Sequence, residues 1–185
     1  MAGFSRIARP VSTELGGRLR PNCPADLLRI AHLEAGETVP ADELLGILDF
    51  LKTFADKCHH GKEEDILFPA LESAGMPRDS GPIGVMLHEH TLGRGHIREM
   101  ETALAGNENH RAFVAPALNY IELLTQHIAK ENNVLFPMAE RLLGVPTLTA
   151  MHDDFELLEK VRIGLGKHEA FHWLLDDLSA KYLPA

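Results

Sequence analysis

"HHGKEEDILFP" (59–69) and "HIAKENNVLFP" (127–137) decide how this chain is read. They agree at six of eleven positions: His, Lys, Glu, Leu, Phe and Pro. In each, a glutamate follows the first histidine by four residues, and Leu-Phe-Pro lies beyond. Side chains four apart stand one turn apart on the same face of a helix. His59 therefore projects with Glu63, and His127 with Glu131. The phase of the neighbours says which way they point. Tyr120, Leu124, His127, Glu131, Val134 and Met138 step by three or four, and so do Leu51, Ala55, His59, Glu63 and Ile66. Both pairs lie inside an apolar stripe, not on a wet face.

A lone carboxylate in a helical core costs on the order of several kcal/mol unless a cation meets it. Two inward carboxylates and two inward imidazoles on facing helices suit a pair of metal ions, with carboxylates bridging and histidines capping. Exposed helical ion pairs would explain one such pair, at about 0.2–0.5 kcal/mol. They do not explain two copies set in the same longer motif at the same core phase. A third segment, "LHEHTLGRGH" (87–96), adds His90, which shares a stripe with Leu87, Ile97 and Leu104. His88 and His96 fall off that stripe and are expected in solvent. Arg94, one turn past His90, is expected at the mouth of the site or paired with a surface acid. Tyr120 is read as a core residue, with a hydrogen bond to a bound ligand as the alternative.

The rest of the chain is also helical by pattern. The spacing predicts helices over about 41–73, 82–105 and 111–143, with breaks at "SAGMPRDSGP", "GNEN" and Gly144-Val145-Pro146. Pro40 and the acids after it mark the first start. Two shorter helices are predicted near 147–163 and 167–182, and a weak one over 24–34. No segment alternates as a strand does. Long helices joined by short loops pack as an antiparallel bundle, each about 35–50 Å long at 1.5 Å per residue.

Bulk composition narrows the function. The 185 residues suffice for one domain, and a net charge of −9 argues against nucleic acid and anionic membranes as partners. No apolar run approaches the roughly 18 residues of a membrane span. The Arg-rich start "MAGFSRIARPVSTELGGRLRP" (1–21) lacks a secretory core and reads as a disordered tail rather than a transit peptide. Two cysteines, Cys23 and Cys58, make no disulfide framework, so a cytoplasmic setting is expected. The outlier is histidine, at eleven copies.

"FLKTFADKCHHGKEEDILFPALE", "GPIGVMLHEHTLGR", "YIELLTQHIAKENNVLFPMAERLL" and "GKHEAFHWLLDDLSAKYL" together resemble the bacterial branch of the hemerythrin-like (HHE cation-binding) family. The resemblance covers about residues 34–185. It implies an all-α, antiparallel four-helix bundle holding a non-haem di-iron centre. His59, Glu63, His90, His127 and Glu131 would be its metal ligands, with Glu63 and Glu131 bridging. It implies a small diatomic or peroxide ligand: a protein that binds or senses O₂, NO, peroxide or iron. An enzyme consuming peroxide or NO at the same metals, and a structural bundle with a decayed site, are the alternatives. No catalytic residue is assigned. Where older members carry a second histidine, this chain has Arg94.

A larger departure lies in the first helix, where the family carries a Glu-His that ligates one iron. Its place, near residue 16, reads "STELGGRLRPNCP" (12–24), without histidine. The first helix therefore reads as eroded or atypical. One ligand is unassigned, with His32, His60 and Glu14 as candidates, and one iron site is expected to be weak. The chain divides into a poorly defined segment 1–33, a metal-binding bundle 34–145 and a C-terminal helical extension 146–185.

Two other motif readings fail on detail. "HEAFH" (168–172) matches the His-Glu-x-x-His of zinc proteases. Only thirteen residues follow it, without a good third ligand, so it is read as part of a packing helix. Ferritin-like di-iron proteins use Glu-x-x-His, with the opposite order and a spacing of three.

Overall fold

A computed structural model describes residues 39–106, 111–164 and 173. The described residues are all-helical, with no strand among them. Helix α1 spans 41–73, α2 spans Gly81–Gly106, α3 spans 111–143 and α4 spans 145–162. The predicted bounds of α1 and α2 agree within a residue, and all of "GNEN" after Gly106 lies outside the described residues. The predicted helices over 24–34 and 167–182 and the segment 1–33 lie outside the described residues, apart from Trp173.

Helix α1 starts where the sequence says it should. Pro40 is extended, at φ −57° and ψ 136°, and its carbonyl accepts the amides of Glu43 and Leu44 at 3.2 and 3.4 Å. Asp42 and Glu43 then face the positive end of the helix dipole. At the other end of the molecule Gly144 takes φ 70°, a conformation cheap only for glycine. That residue ends α3. The chain kinks there and continues as α4 from residue 145, two residues earlier than the spacing predicts.

The helices bury two apolar clusters. One joins Leu44, Leu48 and Leu51 of α1, Ile97 and Met100 of α2, and Phe113, Ala117 and Tyr120 of α3. The other joins Leu67, Phe68 and Leu71 of α1, Ile83 and Met86 of α2, Leu135, Phe136 and Ala139 of α3, and Met151 and Phe155 of α4. Along α1 and α3 the first cluster comes before the second; along α2 the order reverses. So α2 runs antiparallel to its two neighbours. Between the clusters, on every one of these helices, lie the polar residues: 59–63, 90 and 127–131.

The sequence phase fails at one kind of place. Residues Leu51–His60, Glu63–Leu67 and Glu131–Leu135 wind as π-helix, not α-helix. Each wide turn inserts an extra residue and rotates everything after it. Hence Leu135 and Ala139 are buried where Val134 and Met138 are predicted, and Val134 is 45% exposed. In α1 the fully buried residue is Leu67, while Ile66 is only partly covered. The repeated Leu-Phe-Pro supplies a cause. Pro69 and Pro137 lack an amide to give to the carbonyl four residues back, and their rings press on it. Those carbonyls belong to Asp65 and Asn133, inside the two wide turns.

Candidate metal centre

The wide turns deliver their side chains into the layer between the two apolar clusters. His59, Glu63, His90, His127 and Glu131 are all buried there, Glu63 at 0% exposure. The five predicted residues thus come together from three helices. His59 Nε2 stands 3.1 Å from Glu131 Oε1 and 4.0 Å from Glu63 Oε2. His127 Nε2 stands 2.9 Å from Glu131 Oε1, and His90 Nε2 stands 3.1 Å from Glu63 Oε2. Each carboxylate therefore reaches imidazoles of two helices. Donor atoms of His59, Glu63, His127 and Glu131 lie within 4.8 Å of one another, and so do those of His60, His90 and His127.

This donor set fits metal better than it fits itself. Both oxygens of Glu63, and Nε2 of His90 and of His127, are buried without an aligned hydrogen bond. Such groups cost about 1–3 kcal/mol each when unsatisfied. A cation between them would satisfy all four. Burial would raise the pKa of Glu131, but the charge and hydrogen bond of His59 and the charge of His127 outweigh it and hold the carboxyl well below its usual range. Burial likewise works against a charged His90, yet Glu63 and Glu64 raise it above the ordinary histidine value. Protons thus stabilise the cluster in the way a metal would, and metal must displace them.

An outer set of carboxylates fixes the rings. The Nδ1–H of His90 donates to Glu64 Oε1 at 2.7 Å, that of His127 to Glu89 Oε2 at 3.0 Å, and that of His60 to Asp56 Oδ1 at 3.3 Å. With Nδ1 protonated, each Nε2 keeps its lone pair for the interior, the arrangement that orients metal-binding histidines. The carboxylates are themselves held. Arg94 donates from Nε to Asp56 Oδ1 at 2.7 Å and from Nη2 to Glu64 Oε1 at 2.9 Å, and Lys130 pairs with Glu89. Despite the cost of burial, hydrogen bonds to His90 and Arg94 pull Glu64 down to about 2.

Arg94 therefore sits beside the site, as its spacing from His90 suggests, and braces two of its carboxylates. His88 is exposed and His96 half-buried, off the inward stripe. Glu89, Glu64 and Asp56 escape the sequence reading; only their i,i±1 and i,i+4 relation to the histidines could have flagged them. Tyr120 packs in the core cluster. With His60, Glu89, His90, Gly93, Leu124 and His127, its ring also lines a gap of about 10 Å³, room for roughly one water-sized molecule. His32, Glu14, His168 and His172 lie outside the described residues. His152 pairs with Glu156 at 3.4 Å in α4, away from the centre.

Helix α4 closes one side. Lys62 Nζ donates to Glu159 Oε2 at 2.7 Å, and Arg162 pairs with Asp65 and donates to the carbonyl of Lys57 at 3.2 Å. No helix among the described residues is long and apolar enough to cross a membrane.

Comparison with known proteins yields a match to the hemerythrin HHE cation-binding domain over residues 24–139. The iron-sulfur cluster repair protein YtfE of Edwardsiella ictaluri is 34% identical over 119 residues, 60% of this chain and 53% of that protein. The protein of the same name from Musicola paradisiaca is 41% identical over 110 residues, 55% of this chain and 46% of that one. An uncharacterized protein of Mycobacterium tuberculosis is 29% identical over 143 residues, 73% of this chain and 54% of that one. The chain thus spans about half the length of the curated relatives it matches. No solved structure matches significantly.

Proposed function

The chain belongs to the hemerythrin HHE cation-binding family, and on that premise we propose that it holds a non-haem di-iron centre through His59, Glu63, His90, His127 and Glu131 and binds or senses a small diatomic or peroxide ligand there. The observation that carries this reading is the buried polar layer, with four donor atoms lacking hydrogen-bond partners between two apolar clusters. Glu63 and Glu131, each within reach of imidazoles from two helices, are the carboxylates that would be shared between the two irons. Iron bound there supplies a redox-active Lewis acid for O₂, NO or peroxide. The chain's own residues do the rest. The Asp56, Glu64 and Glu89 carboxylates orient the rings, and the apolar clusters exclude bulk water. The gap beside Tyr120 has room for about one water-sized molecule.

The names of the relatives favour a second reading, in which the loaded domain serves iron-sulfur cluster repair. The experiment is aerobic and anaerobic purification with iron quantified per chain, followed by O₂-binding, NO-binding and peroxide-consumption assays. Reversible O₂ or NO binding without turnover supports the carrier or sensor. Sustained peroxide or NO consumption would make the protein an enzyme. Reactivation of a damaged iron-sulfur enzyme by the ferrous form supports the repair reading. Absence of bound metal under all conditions would leave a structural bundle and refute the proposal.

A further inference from the structure

His60 is the buried histidine that the internal repeat leaves unexplained. Its counterpart in the second copy is Ile128, which is buried in the ordinary way of an apolar residue. One copy of the motif thus places an imidazole where the other places a hydrocarbon. His60 is only 4% exposed. An imidazole in that setting loses its water and gives no apolar packing advantage over isoleucine.

The surroundings of His60 are those of a ligand. Its Nδ1 is taken by Asp56, which Arg94 holds from the other side. Nε2 is therefore the free acceptor. Its ring lies flat against His90, with centroids 3.8 Å apart and planes 15° apart, and edge-on to His127 at 5.8 Å. Donor nitrogens of His60, His90 and His127 fall within 4.8 Å of one another. The wide turn of Leu51–His60 makes this possible. In an α-helix adjacent side chains diverge by roughly 100°, so His59 and His60 could not both face the core; a turn with more residues per revolution brings them closer.

We propose that His60 is a metal ligand and that the two metal positions carry unequal numbers of histidines. One position takes Nε2 of His60, His90 and His127. The other takes His59. Glu63 and Glu131 are shared between them. The inference rests on the di-iron reading above and adds a donor that reading does not contain. It makes the three-histidine position the tight one. Among the described residues the His59 position is short of imidazole, and so more open to an exogenous ligand.

Cobalt(II) tests this, because its absorption reports coordination directly. The full-length, metal-free chain is titrated anaerobically with cobalt(II) alone. The wild type should bind two equivalents, one tightly and one weakly. In His60→Leu the tight step should weaken at least tenfold, since even partners that only orient a ligand are worth about 10–100-fold, and the weak step should persist. In His59→Leu the weak step should be lost and the tight step kept. His60→Cys keeps a donor at the position. It should show a thiolate-to-cobalt charge-transfer band absent from the wild type, whose own Cys58 and Cys23 serve as the control. If the wild type binds no metal, the di-iron reading itself fails. If the wild type binds two equivalents while His60→Leu titrates identically, or His60→Cys binds cobalt without the new band, His60 is not a ligand and the proposal falls alone. Should His60→Leu fail to fold, the cysteine variant decides.

Discussion

Replacing Glu131 by alanine removes the residue on which the centre turns. Its Oε1 is within 3.1 Å of His59 Nε2 and 2.9 Å of His127 Nε2, and the side chain is 1% exposed. Removing one partner of a buried charged cluster costs about 3–5 kcal/mol, because the other partners stay buried and unanswered. For a chain of 150–250 residues each kcal/mol shifts Tm by about 2–4 °C. The metal-free variant should therefore melt roughly 6–20 °C below the metal-free wild type. Iron adds a separate effect. Metal that binds only the folded state, at 100 times its Kd, stabilises by about 2.7 kcal/mol, which is roughly 5–11 °C here. The wild type should show that rise on going from chelator to Fe(II), and Glu131→Ala should show almost none of it. Four calorimetric scans suffice: each protein with chelator and with anaerobic Fe(II). If chelation leaves the wild-type Tm unchanged, or if the variant keeps the full iron-dependent rise, the carboxylate is structural and the reasoning is wrong.

His127→Ala should lose most bound metal, whereas His88→Ala, an exposed residue, should retain it; equal losses, read by metal analysis, would mean that the inward face is misassigned. Arg94→Ala should leave the metal stoichiometry intact but weaken binding about tenfold, because Asp56 and Glu64 lose the guanidinium that holds them against His60 and His90; an unchanged titration would show that the brace is irrelevant. The metal-free protein should lose stability in acid. The unfolded chain protonates His60 below about 6.5 and the folded chain only below about 3, so between those values the unfolded state binds more protons and stability falls with pH, by up to about 5 kcal/mol. Glu64, depressed from 4.5 to about 2, extends the loss downward with the same sign. His90, raised instead, contributes stability that is present in acid and lost as pH rises through its folded value, so it offsets part of the fall. Urea midpoints that stay flat from pH 7 to pH 4 would contradict this balance.

Much of the fold is legible in the sequence because it rests on period and punctuation. Pro40 with its acids, Gly144, and the break before α2 mark helix ends by local chemistry that tertiary packing does not override. The burial of His59, Glu63, His127 and Glu131 is legible because His-x-x-x-Glu occurs twice within a longer repeat, and that of His90 because it shares a stripe with Leu87 and Ile97. Phase beyond those motifs is not. A hydrophobic stripe counted at 3.6 residues per turn carries on through Glu131 to Val134, while the protein inserts a π turn and buries Leu135 instead. The prolines of Leu-Phe-Pro signal that insertion, but a periodicity count treats them only as helix breakers. The outer carboxylates are illegible for a different reason. Asp56, Glu64 and Glu89 read as ordinary surface acids, and their role depends on which helix lies opposite. His60 shows the same limit: nothing in "HHGKEED" says which of two adjacent histidines faces inward, and a wide turn lets both do so.

On the proposed reading, the buried layer between the two apolar clusters holds two metal ions in one chain. Anaerobic titration of the full-length apo-protein with ferrous iron, followed by calorimetry and by iron analysis after desalting, tests it most directly. Two Fe(II) per chain should bind, in two unequal steps and with release of protons. A single equivalent, or none, would contradict it.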